Sequence, residues 1–506
     1  MLAFSFMLYR QIILLSIISL VANTLLAQKF VGEILYRDHY EYVKLDCKDQ
    51  SCKFSIPYLD GDETFGVRSE SLLADNWEVQ RGSEIWKFET KREAHLITGK
   101  LITPRGTQPI SLREQLSALS KREMEKYAGV FDDGLGNRAI VYIENNYLHM
   151  MSPFSEKTMS MKPVEADIFW SASGELWQYS NLRSGVYDTL FLCDRFDNTR
   201  TLRRMPRYTE EELYIPIGND TLFAKLFLPP SVNKMPACLI LPGGGAVGMA
   251  NYEFEARFLA GYGFACLVFD KPGNGKSKGT GNFRNQTFEE KNEQYKLLFK
   301  YLQNHPKVDA KKVGIHGPSE GGRLALMMAM DMDDVAFVNA TAGPIMTMKE
   351  GQLYAITNYH RNINLNEVDI LGIRNVWNDY YNNIIDGEVS TSVIATANEF
   401  REQNAQLFLP PNYTGLPSSP NKPDLLNNRV LSGLGAIKCP VFLQYGENDQ
   451  RVNARKSVEN FKANFSGTSK IVIYPRGNHS FMTPQYEICQ GYATDKIYWL
   501  KQIGIL

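Results

Sequence analysis

The 506-residue chain has no Cys-x-x-Cys pair and no His-Glu-x-x-His string, so neither a structural zinc site nor a zincin-type metal centre has a basis in the sequence. Charge of one sign is equally missing. Asp and Glu number 56 against 55 Lys and Arg, a formal net charge of -1, which gives no electrostatic reason to expect a nucleic-acid or anionic-membrane partner. The Gly-x-x-x-x-Gly-Lys-Ser/Thr pattern that cradles nucleotide phosphates is absent, and nothing in the chain calls for a cofactor. Membrane-spanning length is lacking too. The strongest apolar run, Gln11 to Val21, falls well short of the roughly 20 residues a helix needs to cross a bilayer.

That run has a different use. Arg10 precedes it and Ala22-Asn-Thr-Leu-Leu-Ala27-Gln28 follows, the order of a charged n-region, an apolar h-region and a small residue at a cut. The expectation is a signal peptide over residues 1–27, cleaved after Ala27, and hence an exported mature chain, periplasmic or extracellular, without a membrane span. Seven cysteines are an odd number for such a chain. Cys47 and Cys52 bracket a short turn and could close a hairpin disulfide. Cys193, Cys238, Cys266, Cys439 and Cys489 lie in or beside apolar segments, where a buried free thiol is expected.

An apolar content of 44% and a charged content of 22% are those of a globular protein, and the length calls for more than one core. Residues 28–126 and 127–206 read as two β-rich modules, sandwich or barrel. Short alternating segments such as Glu84-Ile-Trp-Lys-Phe-Glu89 stand between turn residues such as Arg105-Gly106 and Asp133-Gly134. Within them Ser111 to Lys126, with Leu112, Leu116 and Leu119 on one side, reads as a charged linker helix. Neither module gathers a catalytic set.

From residue 207 to 506 strands and helices alternate, which predicts a mostly parallel central sheet flanked by helices. Thr287-Phe-Glu-Glu290 is a capping box opening one of those helices. The alternation stops over about residues 344–434, a stretch rich in aromatic helical patterns and then in proline. So long an insert between sheet strands is expected to be a helical lid over the ligand face.

Inside this α/β region lies Val313-Gly-Ile-His-Gly-Pro-Ser-Glu-Gly-Gly-Arg323, a short apolar strand, a tight turn, and a helix expected to open at Ala325. Gly317, Ser319 and Gly321 spell Gly-x-Ser-x-Gly, a turn that lifts a serine hydroxyl clear of the sheet edge. A serine needs an adjacent base and a group to orient that base. Of the seven histidines only His360 and His479 follow Ser319. His360 lies in the insert with no sheet strand before it, whereas His479 follows a strand ending at Tyr474. The acid is sought on Gly446-Glu-Asn-Asp-Gln-Arg-Val452, where Asp449 is preferred over Glu447. Donors for an oxyanion are the backbone N–H of Glu320 and one from Pro242-Gly-Gly-Gly245, Gly244 first and Gly243 second.

These strings, with Asp270-Lys-Pro-Gly-Asn-Gly-Lys-Ser277, make residues 207–506 resemble the α/β-hydrolase superfamily of serine hydrolases. Within it the chain looks closest to secreted bacterial esterases with a β-rich N-terminal region. The dienelactone-hydrolase-like, prolyl-oligopeptidase-like and acyl-CoA thioesterase/acyltransferase C-terminal branches are near relations. Pro318 and Pro242 stand where many relatives carry histidine. The resemblance implies an α/β-hydrolase fold and cleavage of a carboxylic ester by Ser319, Asp449 and His479 through an acyl-enzyme. A peptidase or amidase, a thioesterase, and an inactive binding protein on the same scaffold are the alternatives. The partner implied is a small acyl ester or peptide-like substrate; on oligomeric state the sequence is silent.

Overall fold

The computed structural model describes residues 27–506 apart from 38, 49–50, 61–62, 69–74, 145, 155–159, 173, 388–389, 405, 411–421, 427–428 and 485–487. The leader expected over residues 1–27 lies outside the described residues but for Ala27, as does most of the proline-rich loop of the insert. The chain divides into two compact units, the first ending at Met205 and the second running from Pro206 to Leu506.

The first unit holds two closed antiparallel barrels of eight strands each. In the first, Gln28–Tyr36 pairs with both its successor and the last strand, Gly106–Glu114, so that no edge is left open. Period-two patterning fills the interior. Along Glu84–Glu93, Trp86 and Phe88 are buried while Lys87 and Glu89 face out, and Phe88 stacks on Trp77 at a centroid distance of 3.6 Å. Cys47 and Cys52 sit directly opposite on neighbouring strands and form a disulfide with an S–S distance of 2.06 Å.

The linker helix expected from Ser111 is not there. Ile110 and Leu112 are buried and alternate with outward Ser111 and Arg113, because this segment supplies the strand that closes the barrel. Pairing on both sides outweighs the local helical spacing of the leucines. Only Lys121–Met124 is helical, opened by a capping box between Ser120 and Glu123. The second barrel runs from Gly129–Asp132 to Thr199–Met205 around Phe131, Trp177 and Leu190, and its first and last strands also pair.

The second unit is built on one eight-stranded sheet. Its strands are β1 (Thr209–Ile217), β2 (Asp220–Leu228), β3 (Met235–Ile240), β4 (Ala265–Phe269), β5 (Val308–Pro318), β6 (Val338–Thr341), β7 (Val441–Gly446) and β8 (Ser469–Tyr474), in the spatial order β1-β2-β4-β3-β5-β6-β7-β8. From β4 to β8 all neighbours are parallel, while β1 and β2 form an antiparallel edge. β3 to β7 are buried on both faces along most of their length, as a sheet covered on both sides requires, with His316, Asn339 and Gln444 hydrogen-bonded to one another across β5 to β7. The helices of eight or more residues are α1 (Glu253–Gly261), α2 (Phe288–Gln303), α3 (Glu320–Asp331), α4 (Met348–Asn362), α5 (Glu367–Asp386), α6 (Thr391–Gln403), α7 (Ala454–Asn464) and α8 (Tyr492–Gln502). α4 to α6 make up most of the insert between β6 and β7 and pack around their own cluster of Ile373, Trp377 and Tyr381.

Candidate active site

Parallel strands bring their C-terminal ends to one edge of the sheet. The loops after β3, β5, β7 and β8 therefore share that edge, and they carry Gly244, Ser319, Asp449 and His479 respectively.

Ser319 joins β5 to α3 with φ 55° and ψ -120°, a backbone conformation costly for any residue with a side chain. Its N–H donates to the Thr341 carbonyl at 2.8 Å, and its carbonyl accepts from Gly322 at 2.9 Å. The turn is so tight that a Cβ on Gly317 would come within 2.3 Å of the Gly321 backbone, and one on Gly321 within 2.8 Å of the Leu241 carbonyl oxygen. Helix α3 opens at Glu320, not at Ala325: once Ser319 has reversed the chain, the next residue is already helical. The first N–H groups of α3 thus lie immediately beside the serine.

His479 Nδ1 lies 2.8 Å from Asp449 Oδ2. Asp449 is buried, and its other oxygen accepts the N–H groups of Arg451 and Val452, each at 2.8 Å. Both backbone donors bind Oδ1, and the histidine takes Oδ2. Glu447 is engaged elsewhere, accepting the Arg476 N–H at 3.2 Å. His360 has both ring nitrogens taken: Nδ1 is 2.8 Å from the Ile356 carbonyl, and Nε2 accepts the Phe408 N–H at 3.2 Å. Burial holds its pKa below the ordinary value. Between Ser319 and the His479 ring the structure forms no hydrogen bond among the described residues, and such contacts commonly tighten only with substrate bound.

The glycine turn after β3 is held from two sides. The Gly243 N–H donates to the Tyr252 hydroxyl at 2.9 Å, which removes Gly243 from the available donors and leaves Gly244. Lys271, buried, donates to the carbonyls of Gly243 at 2.7 Å and of Gly245. The string Gly243 to Gly248 also has Gly-x-Gly-x-x-Gly spacing, with Asp270 at the end of the next strand. A dinucleotide does not fit: Asp270 is buried and its oxygens accept the Met249 and Lys276 N–H groups, each at 2.8 Å, leaving no carboxylate for a ribose.

A cavity of about 700 Å³ is lined by Ser319, Glu320 and Gly244 on the sheet side and by Met348, Ile356 and Tyr359 of α4 on the other. The Tyr354 hydroxyl of α4 donates to the Asp449 carbonyl at 2.9 Å, so the insert touches the acid's loop directly. Glu320 is paired with Lys291 of α2 at 2.7 Å. Arg323, almost wholly buried, donates to the Met346 carbonyl at 2.7 Å and lies over the Phe288 ring. Sequence reading missed Tyr252, Lys271, Lys291 and Arg323. None of the four carried a local signal: the turn that holds Lys271 also holds Lys276, and nothing in the spacing singles out either. Among the described residues no group of three or more His, Cys, Asp or Glu could hold a metal ion, and no helix is long and apolar enough to cross a membrane.

Residues 295–404 match the family model of the BAAT / acyl-CoA thioester hydrolase C terminal. Acyl-coenzyme A thioesterase 1 of Rattus norvegicus is 34% identical over 121 residues, 23% of this chain and 25% of that protein. Dipeptidyl peptidase 8 of Mus musculus is 23% identical over 296 residues, 54% of this chain and 30% of that protein. The chain therefore spans a quarter to a third of the length of these relatives. Among solved structures, a dienelactone hydrolase from Anabaena variabilis aligns over 58% of this chain and 98% of its own at 14% identity, with a TM-score of 0.35. The thioesterases and the peptidase fall in two of the branches that the sequence motifs resemble, and the α/β-hydrolase resemblance of residues 207–506 stands.

Proposed function

We propose that this α/β-hydrolase chain is a serine hydrolase that cleaves carboxylic esters through an acyl-enzyme on Ser319. The observation that carries the reading is the His479–Asp449 hydrogen bond of 2.8 Å on the same sheet edge as the strained serine. With Nδ1–H donating to Asp449, the other ring nitrogen is free to accept the Ser319 proton as the hydroxyl attacks the carbonyl. Asp449, fixed by Arg451 and Val452, keeps that tautomer and stabilises the imidazolium. The N–H groups of Glu320 and Gly244 take the developing oxyanion, and the imidazolium then protonates the leaving alcohol. Water activated by the same histidine releases the acid. The insert helices α4 to α6 act as the lid, and the leader directs export.

A thioester substrate is the second reading, favoured because the thioesterase family match, residues 295–404, spans Ser319 and most of the insert. The test is a panel of p-nitrophenyl acyl esters, acyl-CoA thioesters and aminoacyl-nitroanilides, with fluorophosphonate labelling of the wild type and Ser319→Ala. Fast ester release with label lost only in Ser319→Ala is expected. Release from acyl-CoA alone would move the assignment to a thioesterase, and release from anilides alone to a peptidase. An unlabelled wild type would sink the serine-hydrolase reading.

A further inference from the structure

We propose that Lys271 is the positioning residue of the oxyanion loop: its ammonium holds the Gly243 and Gly245 carbonyls and thereby aims the Gly244 N–H at the reacting carbonyl. This rests on reading Ser319 as the nucleophile.

The argument starts from the peptide plane. In a trans peptide the C=O of one residue and the N–H of the next point in opposite directions. Lys271 draws in the Gly243 carbonyl at 2.7 Å, so the Gly244 N–H is turned away from it. The same ammonium takes the Gly245 carbonyl, fixing the loop one residue further on, while Tyr252 fixes the Gly243 N–H. Lys271 is 1% exposed and does not line the cavity, whereas Gly244 and Gly245 do. The free N–H is thus directed to the cavity side of the loop. Three successive glycines have no preferred conformation of their own, and an oxyanion donor is effective only when oriented before the charge develops. A charged donor with two carbonyls in its grasp supplies that orientation, and an aliphatic side chain cannot.

Charge strengthens the hold on both carbonyls, since a neutral amine donates more weakly, and the surroundings make that charge conditional. Desolvation is the main influence and lowers the Lys271 pKa to about 8. Lys291 and Arg284 act in the same direction, and Glu320 and Asp270 oppose it. Phe283 covers the ammonium at 4.3 Å from its ring centroid.

The experiment compares wild type, Lys271→Met and Lys271→Arg by ester hydrolysis from pH 6 to 10, with Ser319 labelling as a parallel readout. The Met variant should lose roughly 100-fold in kcat, the scale of one lost oxyanion donor, with KM within about threefold. Wild-type kcat should fall above a midpoint near pH 8, and the Arg variant, whose charge persists, should keep substantial activity with that alkaline limb removed. A folded Met variant with kcat within about threefold of wild type, or an Arg variant with the wild-type alkaline limb, overturns the proposal. Should the Met variant not fold, the limb of wild type against Lys271→Arg decides alone. A wild type that does not label at Ser319 overturns the underlying reading and the proposal with it; a labelled, fully active Met variant overturns the proposal only.

Discussion

Ser319 is held at φ 55°, where only glycine is at ease, and the cost falls on the folded state whether or not the hydroxyl is present. Replacement by alanine keeps the strain, and replacement by glycine removes it. Ser319→Gly should therefore be more stable than Ser319→Ala by about 1–2 kcal/mol in urea denaturation, although both abolish ester hydrolysis. Equal midpoints would mean that the turn stores no strain. A second residue-scale test separates the two acidic candidates. Asn at 449 can still accept the Arg451 and Val452 N–H groups but presents a donor to His479, which reverses the ring tautomer. Asp449→Asn should lower kcat by roughly 10³–10⁴-fold, while Glu447→Gln, at a side chain that accepts the Arg476 backbone N–H, should stay within about threefold. The strings bearing Ser319, Asp449 and His479 were legible because each is short, local and preceded by its own apolar strand. Tyr252 and Lys271 were not, since they meet the glycine turn from 9 and 28 residues along the chain, and no periodicity records such a contact.

At the scale of elements, the signals that succeeded were those in which side chain and backbone are near neighbours. The Thr287–Glu290 capping box opens α2 where it was read, because three residues contain the whole interaction. Ser111 to Lys126 failed for the opposite reason, since its start pairs with Leu96–Thr103 on one side and, on the other, with Gln28–Tyr36, more than seventy residues away. A further connection of this kind ties the insert to α2. Asp424, in the short helix Lys422–Leu425, accepts the Phe288 N–H at the start of α2 at 3.0 Å. Burial raises its pKa from 3.8 to about 6. Below about pH 4 the carboxyl is protonated in both folded and unfolded chains, and burial costs no charge. Between about pH 4 and 6 the folded state retains a proton that the unfolded state releases, so this group's contribution to stability falls as pH rises. Asp424→Asn keeps an acceptor for Phe288 without the titration. Its melting temperature relative to wild type should rise between pH 4 and 7, with most of the change below about pH 6. A difference flat in pH would show that Asp424 titrates alike folded and unfolded.

On the scale of the whole molecule, each unit has its own apolar core: two barrel interiors before Met205, and the sheet with its covering helices after it. Every residue lining the cavity belongs to the second unit, whereas the disulfide belongs to the first. Barrel closure was only partly legible, because a strand's alternation shows that one face is buried but not which strand it will meet. The single cross-link gives a handle on whether the units are energetically separate. The other five cysteines are free thiols, four of them buried, so mild reduction acts on Cys47–Cys52 alone. Closing so short a loop limits the unfolded chain by roughly 2 kcal/mol in the chain-entropy treatment. Cys47→Ala/Cys52→Ala should accordingly lower the calorimetric transition of the barrel unit by several degrees and leave that of the sheet unit in place. Ester hydrolysis at 25 °C should be unchanged, since every residue of the candidate site belongs to the second unit. One joint transition moving as a whole, or a loss of activity in step with the first barrel's melting, would show that the hydrolase unit depends on the barrels for its stability. In that case the β-rich half would be part of the working enzyme and not an independent module.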